Sequence, residues 1–515
     1  MNQVLEISEN RIYGVTSSES LLELYIDDFL IQSVRPKRLE DGTNSFEIVL
    51  YDQWRFASPD NQLCVMQDGK RLAFPDGLDS YSPIKIGKES KQDLLDRFAR
   101  GQKFDDKGRI RVLAKAEDMA WQEGVLELFK EVSEVIYQVT GSHAFIYSGT
   151  LLGYVRENGF ISFDKDMDCA YLSKRGNAAE AAAEFALLGR ALLKAGYSVN
   201  AKASCISVRR ISGSIVMVDI AHLFRKEDGA IGFPFGTVGQ DRVDPGVIEP
   251  TVQSEFMGHQ VRVPKSPELL LEQVYGKSWR VPNPNFSWVN ERRRRDPEAL
   301  LSYSARSQLA ADDFYSHSRR ANPSRFAAYV LQHDVFKASK SVIDLGSGDG
   351  EDSILFGKSM DAVLGIDRSI YSIRSSNNSH RGVPRNVSFT RADILDSGVL
   401  SKIVARHRLN NPGPILFYAR FLLHSLTQSE LSKLFALLSQ VVIAGDSLAL
   451  EFRTLEDRKL KKRYNRSFRN FIDSSEIEDK LQQIGFKIVD SQKSDNYSKY
   501  GKENPVTSRL LAVRK

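Results

Sequence analysis

Ser341-Val342-Ile343-Asp344-Leu345-Gly346-Ser347-Gly348-Asp349-Gly350-Glu351-Asp352-Ser353 reads as an apolar strand that runs into a glycine-rich turn and then a helix. The next apolar run, Ala362-Val363-Leu364-Gly365-Ile366, ends in Asp367. An acid about twenty residues beyond such a loop stands where it accepts hydrogen bonds from both ribose hydroxyls of an adenosine cofactor. The full dinucleotide pattern G-x-G-x-x-G is absent, because Glu351 follows Gly348 at the place of the third glycine. A carboxylate there opposes a pyrophosphate at the helix start. The stretch therefore favours S-adenosylmethionine over a dinucleotide.

Outward from this loop, strand-like runs alternate with helical ones: Val387 to Thr390, Ile415 to Tyr418 and Ser447 to Arg453. That alternation implies a parallel sheet with helices on both faces. Residues 299–515 form the expected Rossmann-like domain. Together with Pro323-Ser324-Arg325-Phe326-Ala327, the loop and the Asp367 strand resemble class I S-adenosylmethionine-dependent methyltransferases. The resemblance implies that Asp344, Gly346, Ser347 and Gly348 line the cofactor and that Asp367 binds its ribose. It places Asp393 and Ile394 beside the adenine. Asp393 has a second reading as a turn cap. The segment Tyr418-Ala419-Arg420-Phe421-Leu422-Leu423-His424 falls where ligands gather, past the carboxyl end of a strand. Tyr418 and Arg420 are expected to face the methyl acceptor. His424 is a candidate general base for a hydroxyl acceptor, since imidazole titrates near neutrality; its other reading is a packed helix residue. Glu451 and Arg453 are expected to shape the acceptor pocket, and Tyr464 and Phe468, within a basic run, to grip an anionic acceptor.

Upstream stands a second constellation: Gly149-Thr150-Leu151-Leu152-Gly153-Tyr154-Val155-Arg156, then Phe160-Ile161-Ser162-Phe163-Asp164-Lys165-Asp166-Met167-Asp168. On one strand Asp164, Asp166 and Asp168 share a face. Three carboxylates on one face repel unless a hard cation such as Mg²⁺ or Mn²⁺ neutralises them. Asp219 lies inside an apolar strand, Ile215 to Ile220, and a buried acid needs a partner. An exposed strand edge is the plainer reading of the same acids.

The whole pattern resembles the LicD/fukutin family of the nucleotidyltransferase fold, over about residues 115–285, with Val263-Pro264-Lys265-Ser266-Pro267-Glu268, Tyr275-Gly276 and Trp279 fitting its later part. Phe163 and Lys165 depart from the family's usual Trp and Asp. The resemblance implies metal binding by Asp166, Asp168 and Asp219, with Asp219 also a possible base, and leaves open whether Asp164 is a ligand. It implies transfer of a phospho-alcohol of the phosphocholine, glycerol or ribitol phosphate type from a CDP-linked donor to a glycan, which suits charge neutralisation by metal ions. Arg156 is expected to clamp a phosphate or sugar, or else to form a structural ion pair. Gly149 and Thr150 are expected to bring backbone N–H groups to a phosphate, or to form a tight turn.

The chain has 515 residues and suggests three domains at roughly 100–200 residues each. They are a β-rich module (1–105), an α+β nucleotidyltransferase-like domain (106–298) and the α/β domain (299–515). In the first, the alternating runs Leu21 to Ile26, Ser45 to Tyr51 and Gln62 to Met66 suggest an antiparallel sandwich without a catalytic constellation. In the second, Ala116 to Val139 and Asn177 to Lys194 read as helices, and Phe160 to Tyr171 as a strand. Cys205 to Arg210 and Ile215 to Leu223 read as a hairpin about Ser212-Gly213-Ser214.

Three cysteines without CxxC spacing exclude a disulfide framework or a zinc site. A net charge of +5 argues against nucleic acid as a partner. The start lacks a signal-peptide pattern, and no apolar run nears the roughly 18–20 residues of a bilayer span. The expected location is cytoplasmic. Arg292 to Arg295 and the run Lys459, Lys461, Lys462, Arg463, Arg466 and Arg469 are either solvated faces or contacts to the inner face of a membrane. The combined reading is a bifunctional enzyme of cell-surface polysaccharide modification. The alternatives are a methyltransferase with a non-catalytic glycan-binding domain, and a nucleotidyltransferase that makes a CDP-activated precursor.

Overall fold

The computed structural model describes residues 2–27, 29–39, 43–99, 102–104, 108–111, 118–161, 166–212, 216–281, 295–317, 322–379, 382–460, 470–499 and 503–515. The chain divides into two compact units, Met1–Ser198 with Lys202–Leu301, and Val199–Ala201 with Ser302–Lys515.

The first unit opens with two four-stranded antiparallel sheets. One contains Gln3–Ile7, Arg11–Thr16, Asn44–Val49 and Lys37–Arg38; the other contains Phe29–Val34, Leu22–Ile26, Leu63–Gln67 and Lys70–Arg71. Alternate residues point inward, so Ile12, Phe46 and Ile48 of one sheet meet Leu22, Leu24 and Val65 of the other in one core.

Beyond it, α1 (Met119–Thr140) begins at Asp118, whose side chain accepts from the Trp121 amide, and ends at Gly141, whose φ of 67° closes the last turn. Its buried stripe is the expected one, Trp121, Val125, Leu128, Phe129, Val132 and Ile136. Four strands of the sheet that follows bear on the site: β1 (Phe145–Ile146), β2 (Met167–Leu172), β3 (Cys205–Arg209) and β4 (Val218–Arg225). They lie in the order β1-β2-β4-β3. β2 and β4 run parallel, and β3 pairs antiparallel with β4 as the expected hairpin. Short α2 (Ser148–Leu152) leads away from β1, and α3 (Ala178–Lys194), capped by Asn177, packs on α1. α4 (Pro267–Tyr275) closes this part against α2.

In place of the expected acid-bearing strand from Phe160 to Tyr171, β2 begins at Met167, so Asp166 precedes the strand and, of the acids described, only Asp168 lies in it. Asp164 lies outside the described residues, as do Arg292 to Arg294 and 461–469 with Tyr464 and Phe468.

The second unit is built on seven strands: β5 (Ser341–Leu345), β6 (Ala362–Asp367), β7 (Val387–Arg391), β8 (Ile415–Arg420), β9 (Ser447–Arg453), β10 (Phe486–Ser494) and β11 (Thr507–Arg514). Their order is β7-β6-β5-β8-β9-β11-β10, with β11 antiparallel to both neighbours and the rest parallel. The chain moves outward from β5 through β6 and β7, then returns to β8 on the other side of β5. This is a doubly wound, Rossmann-like sheet with its switch point between β5 and β8. The period of two divides its core: Ile343, Phe417 and Leu450 pack on one face, and Val342, Leu416 and Ala449 on the other.

All three cysteines are free and buried. Among the described residues, no helix is long and apolar enough to cross a membrane.

Candidate functional site

In the first unit, the amino end of α2 is tied to the start of β2. The Gly149 amide donates to Asp168 Oδ2 at 2.8 Å, and the Asp168 amide donates to Thr150 Oγ1 at 2.9 Å. The Gly149 amide and the Thr150 hydroxyl thus hold Asp168. Ser148, which precedes them, has φ of 46° and bonds Tyr275 of α4 through its hydroxyl at 3.2 Å. A non-glycine residue in that region is strained and persists where its surroundings dictate it.

Asp168 stands in register with Asp219 on the neighbouring parallel strand β4, and Asp219 stands in register with Ser207 on β3. In-register residues share a face, so the three side chains form one row across three strands. Asp219 Oδ2 receives the Lys202 ammonium at 3.3 Å and the Cys205 thiol at 3.4 Å. Asp219 Oδ1 and Ser207 Oγ are both buried and, among the described residues, have no hydrogen-bond partner. Burial, then the charge of Asp219, pushes the Cys205 thiol well above its ordinary range, which keeps it a donor. Lys202 is pulled down by burial, but the outweighing fields of Cys205, Asp219 and Asp166 hold it above the ordinary lysine range.

Two carboxylates side by side, one with an unpartnered buried oxygen, fit a hard divalent cation. Among the described residues, no three His, Cys, Asp or Glu side chains gather closely enough to hold a metal. Arg156 takes the structural alternative, bonding Glu157 at 2.7 Å and the Trp279 carbonyl at 3.1 Å.

In the second unit, the loop after β5 turns through Gly346, Gly348 and Gly350, with φ of 75°, 57° and 76°. At Gly348 the left-handed φ favours glycine, and a Cβ would lie 2.4 Å from the Tyr315 hydroxyl, which would have to shift. Asp367, at the end of β6, accepts from the Gly348 amide at 3.0 Å and the Ser369 amide at 2.8 Å. Burial raises its carboxyl above the ordinary range, against those two amides. Ser347 Oγ is buried and, among the described residues, without a hydrogen-bond partner, and Asp344 accepts from Ser353 at 2.6 Å. A glycine-walled turn with an orphaned hydroxyl and a carboxylate beside it fits an adenosine cofactor at the switch point. The expected opening helix joins this loop: Ser324 caps Arg325–Gln332 and donates to Asp352 at 2.8 Å. Ile394 is buried in the core, and Asp393 accepts from the Leu395 amide at 2.9 Å as a turn cap.

Tyr418 does not face an acceptor. It is 1% exposed, with its hydroxyl on Asp352 at 2.9 Å. The period of β8 sends Leu416 and Tyr418 to the same face, where the ring stacks on Phe326. Arg420 donates to Glu451 Oε1 at 3.0 Å. His424 is buried, packs edge-on against Phe421, and accepts from the Arg453 amide at 3.4 Å.

Glu451 and Arg453 are buried in an ion-pair network whose other members carry no signal in the sequence: Glu451 also takes Ser498 and Arg509, each at 2.7 Å, and Arg453 bonds Asp457 at 3.0 Å and Glu503 at 2.9 Å. Phe421, just past β8, has φ of 57° and lies under the Arg420 guanidinium at 4.4 Å. In the first unit the missed residues are Lys202, Cys205 and Ser207. None carries a local signal, because each matters only through a partner on another strand.

Comparison with known proteins adds the following. The family model described as LicD/FKTN/FKRP, nucleotidyltransferase domain, matches residues 141–266. No curated protein matches the chain. Among solved structures, the chain is similar to a SAM-dependent methyltransferase from Anabaena variabilis ATCC 29413, at 13% identity and a TM-score of 0.33, covering 40% of this chain and 93% of that one. It is also similar to magnesium protoporphyrin IX methyltransferase (ChlM) from Synechocystis PCC 6803 with bound SAH, at 16% identity and a TM-score of 0.28, covering 42% and 88%. A third is the [4+2]-cyclase SpnF, at 13% identity and a TM-score of 0.31, covering 40% and 96%.

Proposed function

We propose that this chain, whose residues 141–266 match the LicD-type nucleotidyltransferase domain, performs two transfers on one glycan. The first unit moves a phospho-alcohol from a CDP-linked donor to a glycan hydroxyl. The second methylates the same group or a neighbouring one with S-adenosylmethionine. The substrate is a cell-surface polysaccharide. Joining the two activities raises the effective concentration of the shared intermediate.

The observation that carries the first reading is the register of Asp168 with Asp219 beside an unpartnered Asp219 oxygen. Asp168 and Asp219, in register on neighbouring strands, would hold Mg²⁺ or Mn²⁺, which supplies charge neutralisation at the phosphates; Asp166, one residue before β2, does not gather with them into a three-carboxylate set. Gly149 and Thr150 fix the orientation of Asp168. The Lys202 ammonium adds positive charge on the same side of the sheet. Asp219 is the candidate base for the acceptor hydroxyl.

For the second reading, the support is the glycine loop at the switch point with Asp367 at its rim. Asp367 accepts from the ribose hydroxyls, Gly346 and Asp344 line the methionine end, and Ile394 lies along the adenine. The acceptor binds past the end of β8, near Arg420, Phe421 and His424.

The test is CMP release from CDP-choline, CDP-glycerol and CDP-ribitol with Mg²⁺ or Mn²⁺ and surface glycan, beside Asp168→Asn and Asp219→Asn. Metal-dependent CMP release with one donor, lost in both variants, is the expected result. Pyrophosphate release from CTP would replace transfer with synthesis of an activated precursor. Glycan binding without turnover of any donor would make this domain a binding module.

A further inference from the structure

We propose that Ser207 belongs to the cation site, as a neutral oxygen donor beside Asp219. This rests on the reading of Asp168 and Asp219 as metal ligands.

Two observations converge. Ser207 is 3% exposed, and among the described residues its hydroxyl has no hydrogen-bond partner. It stands in register with Asp219, whose Oδ1 is likewise buried and, among the described residues, unpartnered. Buried polar atoms are nearly always paired, and a specific exception marks a missing water or ion. Two unsatisfied oxygens side by side on one face, one charged and one neutral, are the donors that a hard cation takes, directly or through a bound water.

The arrangement also accounts for a buried hydroxyl among the apolar residues Cys205, Ile206 and Val208 of β3, which ends in exposed Arg209. Ile206 and Val208 turn to the other face and are fully buried. A hydroxyl in this row destabilises the metal-free protein, because it is stripped of water and given nothing in return.

The experiment is Mn²⁺ binding by titration calorimetry and by electron paramagnetic resonance, with thermal unfolding measured with and without the metal. The proteins are the full-length chain, Ser207→Ala, Ser207→Thr and Asp219→Asn. Ser207→Ala is expected to melt at the same temperature as the parent or higher without metal, and to bind Mn²⁺ about ten- to a hundredfold more weakly. Ser207→Thr keeps the oxygen and is expected to restore part of the affinity. If the parent binds Mn²⁺, Asp219→Asn does not, and Ser207→Ala binds as the parent does, the role of Ser207 is overturned and the carboxylate site stands. If the parent itself binds no Mn²⁺, both the site and this extension fail. A Ser207→Ala protein that melts lower without metal would also overturn the proposal, since the hydroxyl would then be a structural bond.

Discussion

The amide of Gly149 donates to the Asp168 carboxylate at 2.8 Å, so the turn that opens α2 sets the side-chain angle of an acid nineteen residues later. The reciprocal bond, from the Asp168 amide to Thr150 Oγ1, completes the clamp. Thr150→Val keeps the shape and removes the acceptor. It should cost about 1–3 kcal/mol, the penalty for orphaning a buried donor, and lower CMP release. Thr150→Ser should recover both. Urea unfolding of the two variants checks this; a valine variant as stable as the parent would remove the clamp from the account.

Asp367 holds the Gly348 amide and stands at the rim of the glycine loop. Asp367→Asn replaces one acceptor oxygen with a donor and removes the charge. Binding of S-adenosylhomocysteine should weaken about tenfold or more, in line with the loss of a charge-assisted bond. Calorimetry reads it directly. Unchanged affinity would move the ribose elsewhere.

His222 is fully buried against Phe185, with Nε2 bonded to the Ala299 carbonyl at 3.0 Å. Burial pushes its pKa down to about 4, only partly offset by that carbonyl. The unfolded imidazole titrates near 6.5. Above pH 6.5 both states are neutral, and His222 adds no slope. Between 6.5 and 4 the unfolded chain binds the extra proton, so stability falls as pH falls. The full loss is about 3 kcal/mol and levels off below pH 4. His222→Gln should reduce the acid-side slope of the unfolding free energy relative to the parent. Parallel curves for the two proteins would contradict it.

Glu451 is fully buried and receives Arg420, Arg509 and Ser498. Glu451→Ala would strand two guanidinium groups, of which Arg509 is almost entirely buried. It should destabilise the second unit by about 3–5 kcal/mol. Glu451→Gln should cost less, because it keeps one acceptor oxygen. Denaturant unfolding followed near residues 302–515 tests this; a loss below about 1 kcal/mol would show the pairs to be dispensable.

Elements with a regular period were legible. The α1 stripe, the alternating strands of the opening sandwich and the strand–loop–helix at 341–353 each have a local cause: a hydrophobic period, a cap or a glycine turn. Tyr418 was misplaced for a related reason. Its position past an apolar run suggested the ligand end of the sheet, but the period of β8 turns its ring into the core. Arg156 has an ion-pair partner next to it in sequence, Glu157, but its second bond, to the Trp279 carbonyl, comes from far along the chain and is set only by the fold.

What the sequence determined by itself is therefore which segments become strands and helices, which acids are candidates for chemistry, and where glycine is required, since these depend on neighbours within a few residues. What only the tertiary structure decided is which of those acids meet. Asp168 and Asp219 become neighbours through a parallel pairing, Ser207 joins them through an antiparallel one, and Glu451 gathers Arg420, Ser498 and Arg509 from three separate places. Strand order and register set these encounters. They arise from the burial of whole faces against each other, a condition that no short window of residues contains.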